Sequence, residues 1–290
     1  MRTIRVLSRE SALAVRQAEL VIDAIHAFDA TLRTELITMK TTGDKILDRT
    51  LDEIGGKGVF VKELDAALLS GAGDISVHSC KDMPVGENPA LPFAAFSARE
   101  DARDALVLPQ GIAELDASKP IGCSSARRAV QLKRLYPEMR VAPVRGNVPT
   151  RLGKLDGGEY SALVLAAAGL KRLGLDARIS RLFTPEEMLP AACQGIIAVQ
   201  SRAGENTEYL KLFHSAESEL CARAERAFTA ALGADCTAPV AAYAIRDGGG
   251  YKISGMLVGA DGEPRFASAI SDADGLTAAA AALARGFLNE

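Results

Sequence analysis

Apolar and polar positions alternate along this chain in two rhythms, and the change between them outlines its architecture. Residues 4–8 form a short apolar run, after which Ala14, Ala18, Val21, Ile25 and Phe28 recur at alternating four- and three-residue steps. Those steps keep one face of a helix apolar, so a strand followed by an amphipathic helix is predicted. Ser11 stands at the junction, where its hydroxyl suits an N-cap. The unit recurs as a strand near 32–38, a loop over 42–58 containing Gly55-Gly56-Lys57-Gly58, a helix over 59–69 ended by Gly71, and a strand at 75–79.

A second series follows the charged stretch at 99–104. It comprises strands at 105–108 and 121–124, a helix at 126–135 closed by Pro137, a strand at 141–144, a helix near 149–155 and a strand at 162–166. Alternation on this scale predicts mostly parallel sheets with helices on both faces. The apolar run at 195–200 is predicted to return to the first domain. After a helix over 215–232 the runs at 240–245, 251–258 and 265–270 are separated by the glycine-rich segments 247–250 and 259–262. Those separators predict hairpins, and a helix over 276–288 would cover the small antiparallel sheet they make. The expected class is α/β, with domain 1 spanning 1–98 and 195–214, domain 2 spanning 99–194, and a small C-terminal α+β domain at 215–290.

Composition narrows the function. At 290 residues, 48% apolar and 24% charged, the chain suits two or three ordinary globular domains. The N-terminus lacks the pattern of a signal peptide and no apolar run approaches a membrane span, so a cytoplasmic protein without a membrane partner is expected. A net charge of -3 argues against nucleic acid as a partner, and any anion site must be a local cluster. Five scattered cysteines and three histidines make neither a disulfide framework nor a metal set, and no metal is expected.

The informative residues are polar and basic groups at predicted strand ends: Arg9 and Ser11, Ser79-Cys80-Lys81-Asp82, Ser124-Ser125-Ala126-Arg127-Arg128, and Arg145-Gly146-Asn147. Two sheets facing each other would line a cleft with guanidinium groups and helix N-termini, which attract carboxylates or phosphates. Taken singly, each arginine is an ordinary solvated charge, Asp82 an ordinary turn aspartate before Pro84, and Cys236 an ordinary small apolar residue. Their joint placement argues for a strongly anionic ligand. A binding protein or effector sensor of the same architecture would need neither Asp82 nor a reactive Cys236.

Four ordered segments carry a resemblance. Val77-His78-Ser79-Cys80-Lys81-Asp82-Met83-Pro84, Gly122-Cys123-Ser124-Ser125-Ala126-Arg127-Arg128, Val144-Arg145-Gly146-Asn147-Val148-Pro149-Thr150-Arg151-Leu152 and Ala168-Gly169-Leu170-Lys171-Arg172-Leu173-Gly174 resemble the signatures of the porphobilinogen deaminase family. The resemblance implies two domains like type II periplasmic binding proteins, with the active cleft between them. It implies a hydroxymethylbilane synthase, a transferase of haem biosynthesis that joins four porphobilinogen molecules head to tail with loss of ammonia. The product, 1-hydroxymethylbilane, is then released by water from a dipyrromethane cofactor. By the same resemblance Cys236 attaches that cofactor as a thioether and Asp82 is the catalytic carboxylate. Arg9, Ser11, Lys81, Ser124, Ser125, Arg127, Arg128, Arg145, Gly146, Arg151, Arg172 and Gln194 bind cofactor and substrate, Lys57 and Phe60 belong to a flexible loop, and the enzyme is a monomer. The chain departs from the family pattern at Cys123 (usually threonine), at Cys193 (commonly glycine) and at Ala234-Asp235, which replaces a Gly-Gly pair.

Overall fold

The computed structural model describes residues 3–41, 43, 61–234, 238–259 and 261–289. Cys236, Lys57 and Phe60 lie outside them. Strand β1 (Thr3–Arg9) leads into helix α1 (Ala12–Phe28), whose first turn is capped by Ser11 accepting from Ala14 N at 3.4 Å. Ala14, Ala18, Val21 and Ile25 are buried on one face, as their spacing predicts, whereas Phe28 at the helix end is exposed; Ala18, Val21 and Ile25 join Ile4 and Val6 in the first core. Strand β2 (Arg33–Met39), helix α2 (Lys62–Leu69), β3 (Ile75–Ser79) and β4 (Phe93–Phe96) follow.

The chain then crosses to a second unit. It contains β5 (Asp104–Val107), β6 (Ile121–Gly122), α3 (Ala126–Leu135), β7 (Val141–Ala142), α4 (Val148–Asp156), β8 (Ala162–Ala166), α5 (Ala167–Arg172) and β9 (Arg181–Leu182). Strand β10 (Ile197–Ser201) returns to the first sheet, as its apolar run predicts. The sheet orders are β2-β1-β3-β10-β4 and β7-β6-β8-β5-β9. In each sheet the strand that has just crossed over, β10 or β5, runs antiparallel to both neighbours. The expectation of mostly parallel sheets is therefore refined: one reversed strand per sheet is where the chain passes between units. Strands β4 and β9 and helix α5 were not expected; they are short, and four or fewer residues of strand show no usable period.

The two crossings run side by side. Ser97 N donates to Ile197 O at 2.9 Å, Ile197 N to Ser97 Oγ at 2.9 Å, and Glu100 N to Gly195 O at 3.1 Å. Gly195 (φ +91) admits no side chain, because a Cβ there would sit 2.2 Å from Glu100 O. Cys193 takes φ 62, the left-handed region that glycine visits at least cost.

The third unit packs α6 (Ala216–Ala231) and α7 (Leu276–Leu288) against the antiparallel sheet β11 (Val240–Asp247), β12 (Gly250–Val258), β13 (Pro264–Ser271). The predicted first hairpin is present, with Asp247 paired to Gly250 and Gly248 at φ 56 in the turn. Phe228 of α6 meets Phe287 of α7 edge to face at 5.9 Å in that core. Buried Glu225 anchors the unit to the crossings: it accepts from Arg99 Nη2 at 2.7 Å, Cys193 N at 2.5 Å and Ala244 N at 2.7 Å. No described helix is long and apolar enough to cross a membrane.

Candidate active site

A cleft of about 460 Å³ opens between the two five-stranded sheets. Among the described residues its cations are Arg9, Lys81, Arg128, Arg145, Arg151 and Arg172, set against two acids, Glu10 and Asp82. Strand ends and helix starts place them. Arg9 ends β1 just before the Ser11 cap, and Lys81 and Asp82 sit in the 3₁₀ turn Cys80–Asp82 that follows β3. Arg128 lies in the first turn of α3, capped by Ser125, and Arg151 in α4, where Asn147 Oδ1 accepts from Thr150 N at 2.9 Å. Helix starts aimed at one space add partial positive charge to that of the side chains.

Burial and crowding act on these cations together. Burial lowers the Arg151 pKa to about 10, with Arg128 and Arg145 adding repulsion, and burial lowers that of Arg172 to about 10. Lys81 falls to about 8 through burial and the nearby Arg128 and Arg127, opposed by Asp82 and Asp104. Several hold fixed geometry: Arg151 Nε donates to Gly146 O at 2.7 Å and Arg172 Nη2 to Gly195 O at 2.6 Å. Gly146 itself (φ +115) leaves no room for a Cβ, which would lie 2.7 Å from the Thr150 methyl. Burial, with Arg9 nearby, pushes the His78 pKa down to about 3 and favours its neutral form.

Behind the cleft lies Asp104, which has no exposed surface. Its Oδ2 pairs with Arg127 Nη2 at 2.8 Å, while its Oδ1 accepts from Arg128 Nε at 3.0 Å, Arg128 Nη2 at 2.7 Å and Gln194 Nε2 at 2.9 Å. Burial works against ionisation, yet the two guanidinia prevail and hold the carboxyl pKa down at about 2. Sequence reasoning missed this group. The signal was a lone acid opening an otherwise apolar strand, Asp104-Ala-Leu-Val.

Ten of the expected residues line the cleft: Arg9, Ser11, Lys81, Asp82, Arg128, Arg145, Gly146, Arg151, Arg172 and Gln194. Ser125 and Arg127 instead line a smaller cavity of about 70 Å³ beside Lys81, Arg226 and Ala238. Arg127 points there because Nη1 donates to Leu189 O at 2.6 Å, and its Nε is buried without a hydrogen-bond partner. Ser124 lines neither; its hydroxyl bridges the Val144 backbone, donating to O at 2.5 Å and accepting from N at 3.0 Å. At the departure Cys123, the thiol accepts from Ser125 N at 3.4 Å and donates to Ser125 O at 3.5 Å, as a threonine hydroxyl would.

Two α/β lobes joined by paired crossings, with cations gathered in the cleft between them, make a site whose charge is complementary to small polyanions. Comparison with known proteins makes this particular. Residues 4–209 match the family model described as porphobilinogen deaminase, dipyromethane cofactor binding domain, and residues 219–283 match porphobilinogen deaminase, C-terminal domain. The porphobilinogen deaminase of Ruminiclostridium cellulolyticum is 62% identical over 245 residues, covering 84% of this chain and 83% of its own. That of Burkholderia vietnamiensis is 45% identical over 294 residues, covering 99% and 88%. Among solved structures, the periplasmic VFT2 domain of Bordetella pertussis BvgS is 17% identical, with a TM-score of 0.43 over 78% of this chain and 90% of that one. The chain belongs to the porphobilinogen deaminase family.

Proposed function

We propose that this chain is a working hydroxymethylbilane synthase whose primer is a dipyrromethane attached as a thioether to Cys236. The observation that carries the reading is the charge pattern of the cleft, in which Asp82 stands among six cations. Pyrroles bearing acetate and propionate suit that wall. When bound, the dipyrromethane supplies the nucleophilic pyrrole carbon to which substrate units are joined.

The chain's own residues do the rest. Arginine forks grip substrate carboxylates in pairs and fix the ring, and each added unit brings two more carboxylates for the cations ranged along the cleft. Asp82 faces the pyrrole nitrogen and stabilises the positive charge that develops as ammonia leaves the aminomethyl carbon. The same carboxylate then takes the proton displaced at the ring carbon. His78, held neutral and hydrogen-bonded to Ser76 Oγ at 2.8 Å, takes no part. Lys57 and Phe60 are assigned by family resemblance to a covering loop, and the domain bounds 1–98 with 195–214, 99–194 and 215–290 belong to the same proposal. So do a monomeric state, supported by a cleft completed within one chain, and a cytoplasmic location, supported by free Cys80, Cys123, Cys193 and Cys221.

The test is to add porphobilinogen to the purified protein and follow substrate and ammonia together. One ammonia released per substrate consumed, with hydroxymethylbilane as product, supports the reading. Binding without consumption contradicts it.

A further inference from the structure

Successive residues on a helix point about 100° apart, so neighbouring arginines normally diverge. Arg127 and Arg128 converge instead, because each carboxylate oxygen of Asp104 takes one of them. The same carboxylate reaches the other lobe. Gln194 Nε2 donates to Asp104 Oδ1 at 2.9 Å and to Ala102 O at 2.7 Å, while its Oε1 accepts from Lys81 Nζ at 3.3 Å. The amide has only one workable orientation, since a flipped Gln194 would set its oxygen against a carboxylate and a carbonyl and its nitrogen against an ammonium.

A chain of contacts therefore runs from Lys81 on the first sheet, through the returning crossing, to the arginine pair on the second. We infer that Asp104 is a positioning residue for substrate binding: it aims the Arg128 guanidinium at the cleft, pairs with Arg127 behind it and, through Gln194, holds Lys81 in place. Two features set this apart from a plain structural ion pair. Arg128 spends Nε and Nη2 on Asp104 and donates Nη1 to Val164 O at 3.1 Å, so its orientation toward the cleft is fixed by partners behind it. Lys81 is faced by Asp82, Arg128, Asp104 and Arg127, and of the two acids only Asp104 lies outside the cleft, where no reacting group meets it.

This inference rests on the deaminase reading, and the experiment separates the two. Asp104→Asn and Asp104→Glu are made in the full chain, and folding is checked by circular dichroism. Three quantities are read: the fraction carrying the primer mass, kcat and KM for porphobilinogen in that fraction, and the pH dependence of Lys81 acetylation by a small anhydride, mapped by mass spectrometry. The expected result for Asp104→Asn is a KM raised about tenfold or more, kcat within about threefold, and a Lys81 midpoint moved to lower pH, because an anion that favours the ammonium is gone. Asp104→Glu, which keeps the charge, should return the Lys81 midpoint and most of the KM. If Asp104→Asn does not fold, Asp104→Glu carries the test alone, with a Lys81 midpoint like wild type and a KM raised a few-fold. Wild-type KM in every folded variant, or lower thermal stability with KM and the Lys81 midpoint unchanged, would overturn the inference. A wild-type protein that consumes no porphobilinogen contradicts the deaminase reading instead.

Discussion

The two five-stranded sheets share a strand order, yet their cleft edges carry different chemistry. Among the described residues the first sheet's side presents Arg9, Glu10, Ser11, Lys81 and Asp82, and so holds both acids that line the cleft. The second presents Arg128, Arg145, Arg151 and Arg172, with no acid among the described residues. On the proposed synthase mechanism this difference divides the labour: the mixed edge handles charge that changes during reaction, and the cationic edge holds charge that does not. The fold supplies two equivalent frames, and the residues just after the strands decide what each frame does.

The sharpest way to break this comparison is Asp82→Asn. It keeps size and removes the charge, so the fold and the anion grip should survive while kcat falls by ~10²-fold or more, as for loss of a preorganised charge. Near-normal turnover in steady-state assays would remove Asp82 from its role. Next in size is a contrast within the second side. Arg128→Leu strips Asp104 Oδ1 of its two guanidinium donors, and breaking a buried pair costs on the order of 3–5 kcal/mol, so a large fall in the urea midpoint and failure to assemble primer are expected. Arg172→Leu removes a half-buried cation that donates to the Gly195 backbone oxygen, and should leave stability within about 1 kcal/mol while partly built chains accumulate. Equal stability losses in the two variants would erase the distinction between buried pair and cleft wall.

A smaller effect concerns pH. Lys81 has its folded pKa lowered to about 8, so its ammonium is present below that pH and lost as pH rises through it. An anionic ligand favours the ammonium, and binding must take up protons around and above that value. A non-reacting dicarboxylate pyrrole should therefore bind roughly tenfold more weakly above pH 8 than below it, the scale of one charge-assisted hydrogen bond. Titration calorimetry in two buffers checks both the affinity and the proton uptake; pH-independent binding would take Lys81 out of the grip. The smallest effect is at the crossing. Cys193→Gly relieves a left-handed backbone worth ~1–2 kcal/mol but frees the unfolded chain and removes buried thiol contacts. The opposing terms should leave the denaturation midpoint within about 1 kcal/mol of wild type; a shift beyond ~2 kcal/mol would mean the thiol holds the crossing in some other way.

Much of this arrangement is legible in the chain itself. Long amphipathic elements such as α1 and α6 show enough turns for their apolar stripes to be read, and the Asp247–Gly250 hairpin is written in its glycines. Ten of the residues expected from the family signatures line one cleft because strand ends and helix caps are local features. Long-range pairing is not local. Nothing in the spacing of Ser124 reveals that its hydroxyl is spent on Val144, twenty residues away, or that Arg127 turns from the large cleft toward Leu189. Asp104 was hidden for the same reason: its three partners come from α3 and the returning crossing, and only the folded chain brings them to one carboxylate.

The central claim is covalent, and intact-mass spectrometry under denaturing conditions tests it most directly. Protein from a host that makes porphobilinogen should weigh more than its sequence by one dipyrromethane, the increment should map to Cys236 and vanish in Cys236→Ser, and added porphobilinogen should give heavier species in steps of one pyrrole unit. Cys80, Cys123, Cys193 and Cys221, all buried, serve as internal controls. An unmodified Cys236 together with no ladder after product and substrate are supplied would contradict the account.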